Sequence, residues 1–275
     1  MQSESLLEIS GLAVEFAGRH GPVRILDDIN LSVAAGEVLG VVGQAGAGKT
    51  VLVRSLLRLL PENGRPVAGS IRFRGQDLLT MAAAELRRMR GTGIAHILPD
   101  AKSQLNPLVR VGDMMVAVLR THERATRDEA RARATALLAS VGITDPERRL
   151  GAYPHELSGG MAQRICIALA LMHSPSLIVA DEPTAGLDVT VQRQVLDLMA
   201  ALVRDREAAQ LIVTRDLGIV AHYCQRVAVI HEGRIVEVAP TVQLFDSPQH
   251  PYTKALLVAS GALRTHRAVR QPVAR

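Results

Sequence analysis

Apolar and polar positions change their rhythm along the chain. Through the first forty residues the period is short. "LLEISGLAVEF" alternates loosely, "DDINLSV" alternates again, and "GEVLGVVG" is a continuous apolar run ending in glycine. These patterns predict strands. From about Met81 to Ala170 the patterns become helical. Within "TRDEARARATALLASVGI", Ala130, Ala134, Leu137, Leu138 and Val141 fall at i, i+4, i+7, i+8 and i+11, on one face, while arginines and acids cover the other. Strand–helix alternation resumes with "SLIVADE", "QLIVT" and "RVAVIHEGRIVE". The order predicts an α/β core interrupted by a helical insertion. No internal repeat or low-complexity tract is visible, and the final "RTHRAVRQPVAR" reads as a frayed basic tail.

Composition narrows the class. A chain of 275 residues can bury a substantial core, and 48% hydrophobic with 21% charged residues is a globular balance. The net charge of +5 comes with 32 basic residues, only three of them lysines. That bias reads as a solvated surface, and aromatic residues at 2% are too scarce for single-stranded nucleic-acid platforms, so no nucleic-acid partner is expected. Cys166 and Cys224 lie far apart in apolar surroundings, as packed thiols of a reducing compartment would. The start lacks the basic and apolar regions of a signal peptide, and no apolar run reaches the ~18–20 residues of a membrane span. A soluble protein is expected, one that can still dock on a membrane protein.

Three motifs carry chemistry. In "GVVGQAGAGKT", Gly43, Gly48, Lys49 and Thr50 match G-x-x-x-x-G-K-[ST] between an apolar strand and the helix "VLVRSLLRLL". Glycines let the loop wrap a phosphate with backbone N–H groups and a helix N-terminus facing the charge. Lys49 can reach the β- and γ-phosphates, and the Thr50 hydroxyl can ligate Mg²⁺. The expected ligand is a nucleoside triphosphate. In "SLIVADEPT", a strand delivers Asp181 and Glu182 to its end. Two unpaired carboxylates there would be costly, so a cation or a catalytic role explains them. Asp181 suits the Mg²⁺ shell, and Glu182 can polarise an attacking water. Third, "HELSGGMAQR" places a serine and two glycines at a helix start, another anion cradle. A second cradle makes sense if it closes on the nucleotide of another subunit.

In this order and spacing, "GQAGAGKT", "LSGGMAQ", "LIVADEP" and "AGLD" resemble the ATP-binding cassette of ABC transporters over residues 5–240. The resemblance implies a P-loop NTPase (RecA-like) α/β core, with an N-terminal antiparallel β-subdomain and an inserted α-helical subdomain. The cassette would occupy residues 1–240, its core about 1–80 and 166–240 and its insertion about 81–165. It also implies a head-to-tail dimer with two ATPs sandwiched between the subunits. Gly43, Gln44, Ala45, Gly46, Ala47, Gly48, Lys49 and Thr50 would hold ATP, with Phe16 stacked on adenine. Phe16 as a plain core residue stays open. Ser158, Gly159, Gly160 and Gln163 would meet the partner's ATP, and Asp188 would belong to the loop crossing the dimer interface. Thr50 and Asp181 would hold Mg²⁺. "LFDSPQHPYTKALLVAS", within residues 241–275, is similar to the extension found in oligopeptide, dipeptide and nickel importers, and "QLNP" and "DLGIVAHYCQRVAVIHEGRIVE" fit that group. The cysteine-rich segment that can hold an iron–sulfur cluster in many of those relatives is missing, so no cluster is expected. Two transmembrane permease subunits and an external substrate-binding protein are the implied partners, with the chain peripheral on the cytoplasmic face of the inner membrane.

Two positions depart from the family. In "ILPDAKSQLNP", Pro99 stands where the family has a glutamine, if Asp100 and residues 105–107 set the register, and Gln104 is too far along to compensate. Proline offers no side-chain donor or acceptor. In "TRD", Arg215 replaces the family's histidine, and a permanent cation cannot act as an acceptor. The expectation is a degenerate ATP site that binds well and hydrolyses slowly, paired with a competent second cassette on a different chain. A homodimer with reduced turnover, serving peptides or nickel and metal chelates, stays open, as does a non-catalytic ATP-sensing regulator. DNA-maintenance cassettes insert coiled coils or zinc modules between phosphate loop and signature. Here Gly43 to Leu157 carries neither sustained heptads nor cysteine pairs.

Overall fold

The computed structural model describes residues 5–261, which divide into two compact units. The "RTHRAVRQPVAR" tail lies outside the described residues. The first unit opens with β1 (Ser5–Gly18) and β2 (Gly21–Ala34), an antiparallel pair, then β3 (Val38–Val42) and α1 (Lys49–Leu56). β4 (Gly64–Phe73) returns along β1, and β5 (Gln76–Asp77) closes a sheet of order β2-β1-β4-β5. The alternating apolar positions of β1 and β2 explain this sheet: Leu7, Ile9, Leu12, Leu26, Ile29 and Leu31 are buried, and polar neighbours face out. It is the antiparallel subdomain expected from the resemblance.

The second unit, Ala83–Ala208, is mainly helical. In chain order it holds α2 (Ala83–Thr92), β6 (Ile94–Ile97), α3 (Ala101–Gln104), α4 (Val111–His122), α5 (Arg127–Ser140), α6 (Pro146–Leu150), a 3-10 turn at Pro154–Glu156, α7 (Gly159–Ala170), β7 (Leu177–Asp181) and α8 (Val189–Asp205). α5 is the helix with the i, i+4, i+7 stripe. Its five apolar positions are all buried, and Thr126 and Glu129 close a capping box at its start. β6 falls inside the span whose pattern predicts only helix, and it pairs in parallel with β7. Four residues between Gly93 and Pro99 are too short a run for periodicity to separate from helix.

The chain re-enters the first unit through β8 (Ala209–Thr214), α9 (Leu217–Tyr223), β9 (Arg226–His231), β10 (Arg234–Pro240), α10 (Thr241–Asp246) and α11 (Pro251–Ala259). β3 lies between β8 and β9, parallel to both, and β10 runs antiparallel to β9. A strand paired on both edges and covered on both faces must be apolar throughout, which is why β3 shows no alternation. "RVAVIHEGRIVE" is a hairpin: His231 opposes Arg234, and Glu232 and Gly233 take φ of 47° and 75°, the left-handed pair of a two-residue turn.

Candidate functional site

The phosphate loop hangs between β3 and α1. Gly46 and Gly48 adopt φ of 79° and 105°, which side-chain-bearing residues avoid. Gly48 is the residue before the first helical turn, so α1 begins with its N–H groups pointing into the loop. Lys49 is 7% exposed, and its Nζ donates to the carbonyls of Gly43 at 2.7 Å and Gln44 at 2.9 Å. Its ammonium is thereby held inside the curl of the loop. Gln44, Ala45, Gly46 and Thr50 are exposed, while Gly43, Ala47 and Gly48 are buried. Thr50 follows Lys49 on the open side of the helix start.

A turn of this unit holds the loop, and two further candidate residues lie elsewhere in the unit. Gly233, in the β9–β10 turn, donates its N–H to the Ala47 carbonyl at 3.1 Å. Arg215 is exposed, directly after buried Thr214 at the end of β8. Asp216 caps α9, accepting from the N–H groups of Gly218 at 2.7 Å and Ile219 at 3.4 Å. Phe16, half-buried on β1, opposes Gly64 on β4, and a Cβ at Gly64 would lie 2.8 Å from the ring. The ring therefore rests on bare backbone.

In the second unit, β7 carries five buried residues and ends at Asp181, itself 3% exposed. Glu182 follows with φ of 45°, half-buried, and its carbonyl accepts the Ala185 N–H at 3.0 Å. Both acids thus sit at a strand end, one inside and one at the edge. Carboxylate oxygens are the hard donors Mg²⁺ takes, so Asp181 suits that ion by chemistry, as does the Thr50 hydroxyl in its own unit. Pro99 stands two residues beyond β6, followed by Asp100 at φ 53°. Gln104, exposed at the end of α3, donates to Ser103 Oγ at 3.1 Å.

Ser158 caps α7. Its Oγ accepts the Met161 N–H at 3.2 Å and keeps the O–H as a donor. Gly159 and Gly160 form the first turn. A Cβ at Gly160 would approach Val191 Cγ1 of α8 to 2.6 Å, so this glycine is required by packing. Asp188 is exposed and caps α8 by accepting from Val191 N–H at 3.0 Å. Gln163, on α7, is 3% exposed, and its Nε2 makes no hydrogen bond among the described residues. Cys166 and Cys224 are thiols that burial pushes up to about 12, which disfavours their thiolate forms.

A phosphate loop, a strand-end acid pair and a capped serine–glycine helix start, on a parallel α/β core with an antiparallel sheet, define a P-loop NTPase of the cassette type. The chain belongs to the ABC transporter family, whose model matches residues 26–185. It is 44% identical over 272 residues to a probable peptide ABC transporter ATP-binding protein of Sinorhizobium fredii, covering 98% of this chain and 81% of that one. It is 41% identical to the oligopeptide transport ATP-binding protein of Bacillus subtilis, covering 94% and 73%. A solved dimeric ATP-binding cassette in a post-hydrolysis state, bound to ADP and Pi, superposes with a TM-score of 0.76 at 22% identity, over 86% of this chain and 98% of that one. No helix among the described residues is long and apolar enough to cross a membrane.

Proposed function

We propose that this chain is the ATP-binding subunit of a peptide importer, working with a second cassette, two permease subunits and an external binding protein at the cytoplasmic face of the membrane. The phosphate loop carries the proposal, with Lys49 curled inside it and α1 opening behind it. Lys49 and the N–H groups of the loop bind the β- and γ-phosphates. Thr50 and Asp181 would hold Mg²⁺, which would neutralise charge on the phosphates. Glu182 orients and polarises the attacking water. Ser158, through its O–H, and the first turn of α7 hold the ATP of the second cassette. Asp188 fixes the start of α8 beside that surface. Phe16 stacks its ring on adenine. Peptide as cargo rests on the names of the relatives. ATP binding draws the cassettes together and hydrolysis releases them, a two-state element biased by ligand.

The finer reading is a slow site. Arg215 holds negative charge but accepts no proton or hydrogen bond from water. Pro99 brings no polar side-chain atom at all. Loss of a positioning or proton-handling group costs on the order of 10²–10⁴ in rate, and two losses at one site need not add. A competent partner cassette, completed by this chain's Ser158 cradle, then carries most of the turnover. The test is ATP binding and steady-state hydrolysis by the purified chain beside Arg215→His, Pro99→Gln and the double variant. Tight binding with slow turnover, rescued in the double variant, supports the asymmetric reading. Ordinary turnover unmoved by either substitution overturns it and favours a homodimer.

A further inference from the structure

The "SPQHPYTKAL" segment finds no use in the chemistry above, yet each of its turns is fixed. On β10, Glu237 accepts the N–H groups of Gln249 at 2.8 Å and His250 at 3.0 Å, clamping the approach to α11. His250 then caps that helix, its Nδ1 accepting from the Tyr252 N–H at 3.2 Å, and Pro251 occupies the first helical position, where a missing N–H costs nothing. These contacts fix where Tyr252 goes. Its ring stacks on His231, centroids 3.7 Å apart and planes at 16°. Its hydroxyl lies 3.4 Å from the backbone nitrogen of Gln44, accepting that N–H in a long hydrogen bond.

His231 is the last residue of β9, and two residues on, Gly233 donates to Ala47 in the middle of the phosphate loop. The loop is therefore braced twice from behind: at Ala47 by the β9–β10 turn, and at Gln44 by a tyrosine seated on that same turn. We propose that Tyr252 is a positioning residue for the phosphate loop, so that the C-terminal extension sets this cassette's affinity for nucleotide. This rests on the reading of residues 43–50 as the triphosphate site. A glycine-bearing loop held in shape before ligand arrives loses less freedom on binding.

The test is equilibrium binding of MgATP by calorimetry to the full chain, with Tyr252→Phe, Tyr252→Ala and Lys49→Ala beside it. Phenylalanine keeps the stack and removes only the hydroxyl. Tyr252→Phe is expected to weaken ATP binding about two- to ten-fold, the range of one neutral hydrogen bond, at an unchanged melting temperature without nucleotide. Tyr252→Ala is expected to weaken it further. Binding by Tyr252→Phe equal to or tighter than the parent's overturns the proposal. So does a fall in affinity matched by a fall in nucleotide-free stability, which assigns the tyrosine to packing alone. Failure of the underlying reading looks different: the parent binds no ATP, or Lys49→Ala binds it as well as the parent.

Discussion

At the residue scale, Lys49 shows how a phosphate loop holds a buried charge. The ammonium is buried, yet two carbonyls of the loop satisfy it, so no unpaired cation is left in the interior. ATP offers oxygens in place of those carbonyls. Lys49→Ala should leave the fold intact and remove MgATP binding in calorimetry, since no other lysine side chain lies in the loop. Gly40 makes a purely structural contrast. A Cβ there would lie 2.6 Å from Val220 Cγ1 and 3.0 Å from Cys224 Sγ, because α9 lies directly on β3. Gly40→Ala should therefore lose about 1–3 kcal/mol in a urea titration, the ordinary cost of overpacking. The buried thiols are testable as well: with both pushed up to about 12, alkylation at pH 8 should be slow in the native protein and fast in denaturant.

At the element scale, ends matter as much as faces. Removing the Thr126 hydroxyl takes away half of the α5 capping box, and Thr126→Ala should cost about 1 kcal/mol in chemical denaturation. The clamp at β10 is sensitive to acid. Burial pushes Glu237 upward, but the hydrogen bonds donated to its carboxylate outweigh this and leave its pKa below the ordinary glutamate value. A carboxylate lowered in the folded state stabilises fully above its unfolded pKa of ~4.3 and loses that contribution as pH falls through the folded value. Glu237→Gln should be less stable than the parent at pH 7, and the difference should shrink as pH falls below about 4. The elements legible in the sequence were those with one clear period. α5 carried its apolar stripe, β3 its unbroken run, and the phosphate loop its fixed spacing. β4 was not legible, because Pro66, Gly69 and the exposed run of residues 65–69 break its alternation. Tyr252 was hidden for another reason: its partner in the loop lies 208 residues away, and only the folded chain brings them together.

At the scale of the whole molecule, ligand binding and folding are linked. A nucleotide that binds only the folded chain adds about 2.7 kcal/mol at a hundred-fold excess over Kd. MgATP should raise the melting temperature in differential scanning fluorimetry, and the rise should vanish in Lys49→Ala. The same link exposes what this fold gives up to keep its chemistry. Glu182 holds its backbone in the left-handed region at φ 45°, where a residue with a Cβ is unfavourable and glycine is at ease. Glu182→Gly should therefore melt higher than the parent while hydrolysing ATP more slowly. Random mutation screened for heat resistance alone would drift toward that glycine, at the expense of the role toward water proposed for Glu182. Only selection for activity keeps the less comfortable residue in place.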